Sequence, residues 1–329
     1  MTLAGRRVAV TGATGFLGTR LVPALARAGW RVRVLARRAP APGTWGEIEP
    51  DLVSGDLADS EALERLLAGT DLVIHVAGLI KSRARSAFFA VNEVGARQVA
   101  RLAPRDGMIL VSSLAAREPL LSDYAASKRA GEDAARAALG ERLTIVRPPA
   151  IYGPGDRETL AMFQLAAASP ILPLFGGPCA RLTLAHVDEV VGAIVNLADR
   201  AGRPALVSVP GARAEGYGWA EILNTAANAV GRRVRLVPTP SALVMAAGAA
   251  SEALAALSGR TAIFTRGKAR EILHPDWSIT PADGLDAGAF ASIALDEGFA
   301  QTIAWYREKG WLPNSRTSAP GSRLAATRP

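Results

Sequence analysis

The sequence of 329 residues holds a single cysteine, Cys179. It can neither close an intrachain disulfide nor build a thiolate metal site alone. Histidine is almost as scarce, at His75, His186 and His274, which argues against a zinc enzyme, and no metal ligand is assigned. Only four of the 38 basic residues are lysines (Lys81, Lys128, Lys268, Lys309). The arginines are scattered, with no basic stripe carrying interleaved aromatics, so no nucleic-acid partner is expected. The net charge of +8 implies weak attraction to acidic ligands and nothing more specific. No apolar run reaches the roughly 20 residues of a membrane-spanning helix. The longest, Ala242–Leu257, is interrupted by Glu252. A core helix, a lid and weak contact with a membrane surface all remain open for it. The opening MTLAGRRVAVTGATG enters a strand without a basic leader and apolar core, so a cytoplasmic protein without signal peptide is expected.

What is present is an alternation of short apolar runs and helical-period segments. Strands are expected over Arg6–Thr11, Arg31–Ala36, Asp51–Ser54, Asp71–Val76, Met108–Ser112, Leu143–Val146 and Ala205–Val209. Helices are expected over Gly15–Ala28, Glu61–Leu67, Phe88–Ala103, Tyr124–Leu139 and His186–Ala198. Such alternation predicts an α/β fold, a Rossmann-type doubly wound parallel sheet with helices on both faces. After Arg147 six prolines and several glycines crowd about thirty residues, which marks a change of domain. Residues 1–147 are read as a dinucleotide-binding domain to which 183–211 return. Residues 148–182 and 212–312 form a smaller, mostly helical substrate lobe, and 313–329 a disordered tail.

Thr11-Gly-Ala-Thr-Gly-Phe-Leu-Gly18 joins the first strand to the first helix. Gly12 permits a tight turn, Gly15 a close approach of pyrophosphate, and Gly18 close helix–strand packing. The helix start then offers free N–H groups to phosphate. Gly12, Thr14, Gly15, Phe16, Leu17 and Gly18 are therefore candidate cofactor contacts. At the end of the second strand an acid would hold the ribose 2′-hydroxyl of NAD. Ala36 stands there instead, followed by Arg37 and Arg38. An arginine clamps a 2′-phosphate, so NADP is expected in preference to NAD, with Arg37 as its contact. A pair of solvated loop charges is the competing reading. Asp56 and Leu57 follow the third strand, where Asp56 can meet the adenine amino group, or where a neighbouring residue caps a helix.

Tyr124 and Lys128 lie four apart on one helix face. A phenol titrates near about 10, and an adjacent ammonium favours its ionised form. The pair can move a proton to or from an alcohol oxygen. Ser112 and Ser113 end the preceding strand, at the carboxyl edge where parallel sheets bind ligands. Alternation lets one of them face the site, and Ser113 is the choice.

Together these motifs resemble the extended short-chain dehydrogenase/reductases, the NAD(P)-dependent epimerase/dehydratase family. His75-Val-Ala-Gly78, Asn92, Arg147-Pro-Pro-Ala-Ile-Tyr-Gly-Pro-Gly-Asp156 and His186-Val-Asp188 add to the resemblance, which covers about residues 5–312. It implies a Rossmann domain, NAD(P) and a Ser113–Tyr124–Lys128 site, with Ala77 and Gly78 under the nicotinamide. Lys128 would both lower the Tyr124 pKa and hold the nicotinamide ribose. His75 is expected to be structural. Two departures weaken a nucleotide-sugar substrate. Leu114-Ala115 replaces the Asp-Glu that follows the catalytic hydroxyl residue in 4,6-dehydratases, and Ala150 replaces an asparagine of the epimerases. The stretches Thr265–Ala269, His274–Trp277 and Thr302–Tyr306 resemble the 3β-hydroxysteroid dehydrogenase and dihydroflavonol reductase branch.

The expected activity is interconversion of a secondary alcohol and a ketone on a small, apolar molecule. A nucleotide-sugar epimerase would use the same three residues. A non-enzymatic cofactor-binding assembly or sensor protein is the third option, and relatives of that kind lose the Tyr–Lys pair that stands intact here. A monomer or homodimer is expected.

Overall fold

The computed structural model describes residues 5–259, 262, 264–284 and 292–313. The tail expected to be disordered lies, Pro313 excepted, outside them. Six strands come first: β1 Arg7–Thr11, β2 Arg31–Ala36, β3 Asp51–Ser54, β4 Leu72–His75, β5 Met108–Val111 and β6 Leu143–Arg147. Five shorter strands follow, β7 Ala150–Tyr152, β8 Ile171–Leu174, β9 Arg181–Leu182, β10 Leu184–His186 and β11 Leu206–Ser208, then β12 Arg235–Pro238 and β13 Asp276–Trp277. The helices are α1 Gly18–Arg27, α2 Ser60–Leu67, α3 Arg85–Phe89, α4 Ala96–Arg101, α5 Asp123–Leu139, α6 Leu160–Ala168, α7 Val187–Asp199, α8 Trp219–Val230, α9 Ser241–Ser258, α10 Arg266–Leu273 and α11 Leu295–Glu308.

Seven strands form one parallel sheet in the order β11-β6-β5-β4-β1-β2-β3. β4, β5 and β6 are buried along their whole length, as a sheet covered on both faces requires. α1 and α7 cover one face through Leu21, Leu25, Val190 and Ile194. α2, α4 and α5 cover the other through Leu63, Leu66, Val99 and Leu139. The strand order reverses between β1 and β4, where Thr11 pairs with His75, so both strands end at the same edge. That switch point is where such sheets bind ligands.

A separate core builds the rest of the chain around Tyr152, Phe163, Phe299 and Tyr306. Phe299 meets Tyr152 and Phe163 edge-on, with ring centres 5.0 Å apart in each pair. Three two-stranded pairs, β7 with β10, β8 with β12 and β9 with β13, stitch it together.

Three expectations change. The first helix starts at Gly18 rather than Gly15, because residues 12–17 form the turn in which Gly15 N donates to Gly12 O at 3.0 Å. The helix expected over Phe88–Ala103 is three pieces: α3, a π-helical turn over Ala90–Gly95, and α4. The core-helix reading of Ala242–Leu257 also fails. In α9 only Val244 and Gly248 are buried.

Candidate functional site

After β1 the chain turns sharply against the segment that follows β4. Gly12 has φ +72°, and a Cβ there would stand 2.5 Å from Ala77 N. A Cβ on Gly18 would stand 2.2 Å from Gly12 O. Both positions therefore exclude side chains. The start of α1 is bare: no side chain caps it and its first turn holds no acid. Thr14 and Gly15 are exposed beside it, and Phe16 is half-buried. Uncapped amides at the positive end of a helix dipole attract an anion. These residues fit a pyrophosphate.

Thr14, Arg37, Arg38 and Thr44 line a groove of about 620 Å³. Among the described residues neither guanidinium has an ion-pair partner. Ala36, the last residue of β2, is buried and offers no acceptor. The loop after β2 is tied to the glycine turn by Trp45, whose buried Nε1 donates to Ala13 O at 2.9 Å. Trp45 carried no motif; a lone tryptophan in a proline- and glycine-rich loop was its only signal. Asp56 is exposed, with Oδ1 accepting Ala58 N at 2.8 Å. The cap of α2 is Asp59, which accepts Ala62 N at 2.9 Å. Leu57 packs against Gly95 in the π-helical turn.

Ser113, Tyr124 and Lys128 converge at the carboxyl end of β5. Ser113 has an extended backbone and accepts Ala115 N at 3.2 Å. Ser122 caps α5 by accepting Ala125 N at 3.0 Å, which sets Tyr124 in the first turn and Lys128 one turn on. The buried Lys128 Nζ donates to Val111 O at 2.8 Å. Burial pushes the Lys128 ammonium down to about 8, and Glu132 partly opposes it. Burial pushes the Tyr124 phenol up to about 12; a hydrogen bond with Ser113 pulls it down, and Glu271 and Glu158 raise it. The direction is opposite to the lowering expected from Lys128. Burial is the largest influence, and the net shift is upward.

Ser112 points the other way. Its Oγ donates to Glu132 Oε1 at 2.5 Å. Arg147 holds the same fully buried carboxylate with two bonds, Nε to Oε1 at 2.8 Å and Nη2 to Oε2 at 2.5 Å. Tyr124, Lys128 and Glu132 thus form one stripe of α5 with a step of four. Glu132 went unnoticed in the sequence, although it repeats the spacing of the two residues before it.

Asn92 sits in the π-helical turn and is buried. Its amide accepts from Leu79 N at 2.8 Å and donates to Leu79 O at 3.0 Å and to Ser127 Oγ at 2.9 Å. It fixes the backbone beyond Gly78 against α5. Turns of this kind concentrate at functional sites. His75 is buried, with Nδ1 2.8 Å from Thr11 Oγ1. Burial and the Lys128 charge push it down to about 3, so it is neutral and a structural partner of Thr11.

The mouth is framed by two acids. Glu158 pairs with Lys81 at 2.7 Å, and Glu271 on α10 accepts the Ser122 hydroxyl. Thr265 caps α10, accepting Lys268 N at 3.0 Å, and His274 lies against Trp277 at 4.6 Å between ring centres. His186 and Glu189 form the capping box of α7, and Tyr306 OH donates to Asp156 O at 2.7 Å. These motif residues hold the frame. Among the described residues no cluster of potential metal ligands occurs.

The family model for the NAD-dependent epimerase/dehydratase family matches residues 8–208. The chain belongs to this family. It is therefore an NAD(P)-dependent enzyme of the reductase and epimerase kind, built on the extended short-chain dehydrogenase fold. A protein of Caulobacter vibrioides named ceramide reductase is 49% identical over 310 residues, 94% of this chain and 96% of that one. A Dictyostelium discoideum protein named as mitochondrial NADH dehydrogenase 1 alpha subcomplex subunit 9 is 32% identical over 174 residues, 50% of this chain and 48% of that one. Among solved structures, a dTDP-glucose 4,6-dehydratase of Streptomyces venezuelae with bound NAD superposes with a TM-score of 0.68 at 21% identity. The match covers 93% of this chain and 99% of that one. This likeness is one of fold.

Proposed function

We propose that the protein reduces a ketone to a secondary alcohol on a long-chain amide lipid of the ceramide class, with NADPH preferred over NADH. The observation that carries the reaction is the Tyr124 phenol hydrogen-bonded with Ser113 at the carboxyl end of β5, with Lys128 one turn further along α5. A general acid for ketone reduction must hold its proton until the carbonyl oxygen gains charge. The upward shift that burial gives the Tyr124 phenol suits that role. Ser113 orients the oxygen by donating to it. As Tyr124 loses its proton, the Lys128 ammonium one turn away stabilises the phenolate. The reduced nicotinamide, when bound, supplies the hydride.

The substrate class rests on the likeness to ceramide reductase, which runs along nearly the whole of both chains. A ceramide carries a secondary alcohol beside an acylated amine and long chains, the functional group this constellation handles. Leu114 and Ala115 stand where the 4,6-dehydratases carry acids, and Ala150 where the epimerases carry an asparagine, which disfavours a nucleotide-sugar substrate. The preference for NADPH rests on the free Arg37 and Arg38 guanidiniums and on the missing acid at Ala36. The test follows loss of reduced-nicotinamide absorbance with the ketone that corresponds to a ceramide's secondary alcohol. Stoichiometric NADPH consumption is expected. No consumption, together with epimerisation of a nucleotide sugar, overturns the proposal.

A further inference from the structure

α9 is amphipathic in the wrong sense for a soluble surface helix. Its single charged residue, Glu252, points inward, accepting Arg266 N at 2.9 Å and Arg266 Nε at 2.7 Å on α10. Gly248 and Val244, one and two turns earlier on the same stripe, complete the inner face. The outer face is Leu243, Ala246, Ala247, Ala250, Leu254 and Leu257, all exposed. The three leucines are 61%, 67% and 86% exposed. Among the described residues α9 is the one helix long and apolar enough to cross a membrane. Its 18 residues reach about 27 Å, and its inner stripe is fastened to α10, so the helix can lie on a bilayer but not thread through it.

Apolar exposure continues around the mouth. Ile80, in the loop after β4, is 54% exposed, and Leu120, in the loop leading to α5, is 94% exposed. Cations border the same region. Arg83 Nη1 donates to Gly259 O at 2.8 Å at the end of α9. Arg266, Lys268 and Arg270 on α10 are exposed, so four cations face two acids, Glu252 and Glu271. The whole chain adds its net +8. α10 also touches the catalytic helix, through Gly267 against Ser122 and through the Glu271–Ser122 bond.

We propose that the outer face of α9 seats on an anionic lipid bilayer and holds the mouth of the Tyr124 site at the headgroup level. A basic border with an apolar face is the composition that binds such surfaces. In linking this seat to substrate delivery the proposal rests on the lipid-reductase reading; the seat itself rests on α9 and its surroundings.

The test is flotation of the full chain with phosphatidylcholine vesicles, with and without about one third phosphatidylglycerol. The parent floats with the anionic vesicles and less at high salt, because the charge contribution is screened. The triple variant Leu243→Gln/Leu254→Gln/Leu257→Gln binds at least about tenfold more weakly. Its melting temperature and NADPH affinity stay those of the parent. Leu257→Gln alone, at the most exposed position, serves if the triple variant does not fold, and it weakens flotation in part. A parent that stays with the unbound fraction overturns the proposal. So does a variant that floats as the parent does, or a homodimer in solution that the leucine substitutions split. Flotation without turnover of ceramide-type ketones keeps the seat and removes the substrate reading; turnover without flotation does the reverse.

Discussion

The two sides of the site are built in opposite ways. On the cofactor side the strand ends are closed in: Val8, Ala9 and Val10 of β1 and Leu72, Val73 and Ile74 of β4 are all fully buried. Beyond α10 stands α9, with two buried residues out of eighteen. A packed interior has one arrangement, whereas an exposed arm joined through few contacts opens at low free energy. Fixed geometry therefore resides in the sheet and α5, and freedom to adapt in α9. This division makes the same kind of substitution severe on one side and mild on the other.

Tyr124→Phe gives the largest loss. It removes one oxygen from the rigid side and leaves the packing intact. Turnover should fall by about 10²–10⁴-fold, with NADPH affinity unchanged in a fluorescence titration. Near-parental turnover would show that the proton comes from elsewhere.

Glu132→Ala is next, and it tests stability rather than rate. It strands the Arg147 guanidinium in the interior without its carboxylate. Breaking a buried pair on one side costs about 3–5 kcal/mol, to be read by urea unfolding. A cost below about 1 kcal/mol would remove this pair as the anchor of α5.

Lys128 offers a pH test of the same packed side. Its ammonium falls from the usual 10.5 to about 8 in the folded chain. Between those values the unfolded chain keeps a proton that the folded chain has released, so stability rises with pH across that window. The gain is about 3 kcal/mol at most. Measured against Lys128→Met by chemical unfolding from pH 7.5 to 10, the parent should gain on the variant as pH rises. A constant gap would mean that the amine titrates as if in water.

Arg37→Ala acts at the open groove. It should lower NADPH affinity on the order of ten- to hundredfold and leave NADH nearly unchanged, by calorimetric titration of both. Equal loss of both cofactors would reduce Arg37 to a general attractor of charge. Leu257→Ala is the smallest change, within about 0.5 kcal/mol of the parent. Leu25→Ala in the sheet core is its counterpart and should cost about 2–5 kcal/mol. Similar values for the two leucines would erase the contrast between the regions.

The parallel sheet was legible because its short, mostly apolar runs alternate with helical-period segments, and the glycine turn because the spacing of three glycines carries it. Tyr124, Lys128 and Ser113 were legible as types at fixed intervals. Three things were not. The π-helical turn at Ala90–Gly95 depends on Gly131 and Leu57 packing against it from distant parts of the chain, and no local signal marks it. Ser112 binding Glu132 is a contact across twenty residues. The Tyr124 proton depends on how much water the fold removes, which spacing does not report. Apolar composition left core, lid and membrane-surface readings open for Ala242–Leu257, because composition is blind to which side of a helix meets the rest of the protein.

The return of α7 and β11 to the central sheet sets an order of events during synthesis. β6 ends at Arg147, and its neighbour β11 begins at Leu206, about 60 residues later. At ribosomal rates of 5–20 residues per second this is a delay of roughly 3–12 s. Throughout it the emerging sheet has a bare edge at β6, and α1 lacks the Val190 and Ile194 side chains that later cover its neighbourhood. The cofactor turn at Gly12 is made first, but the layer beneath it closes only when the intervening lobe segment has left the ribosome. A chain cut at Arg147 would carry the whole glycine turn, Tyr124 and Lys128 and still leave the part of one sheet face that α7 covers open to aggregation.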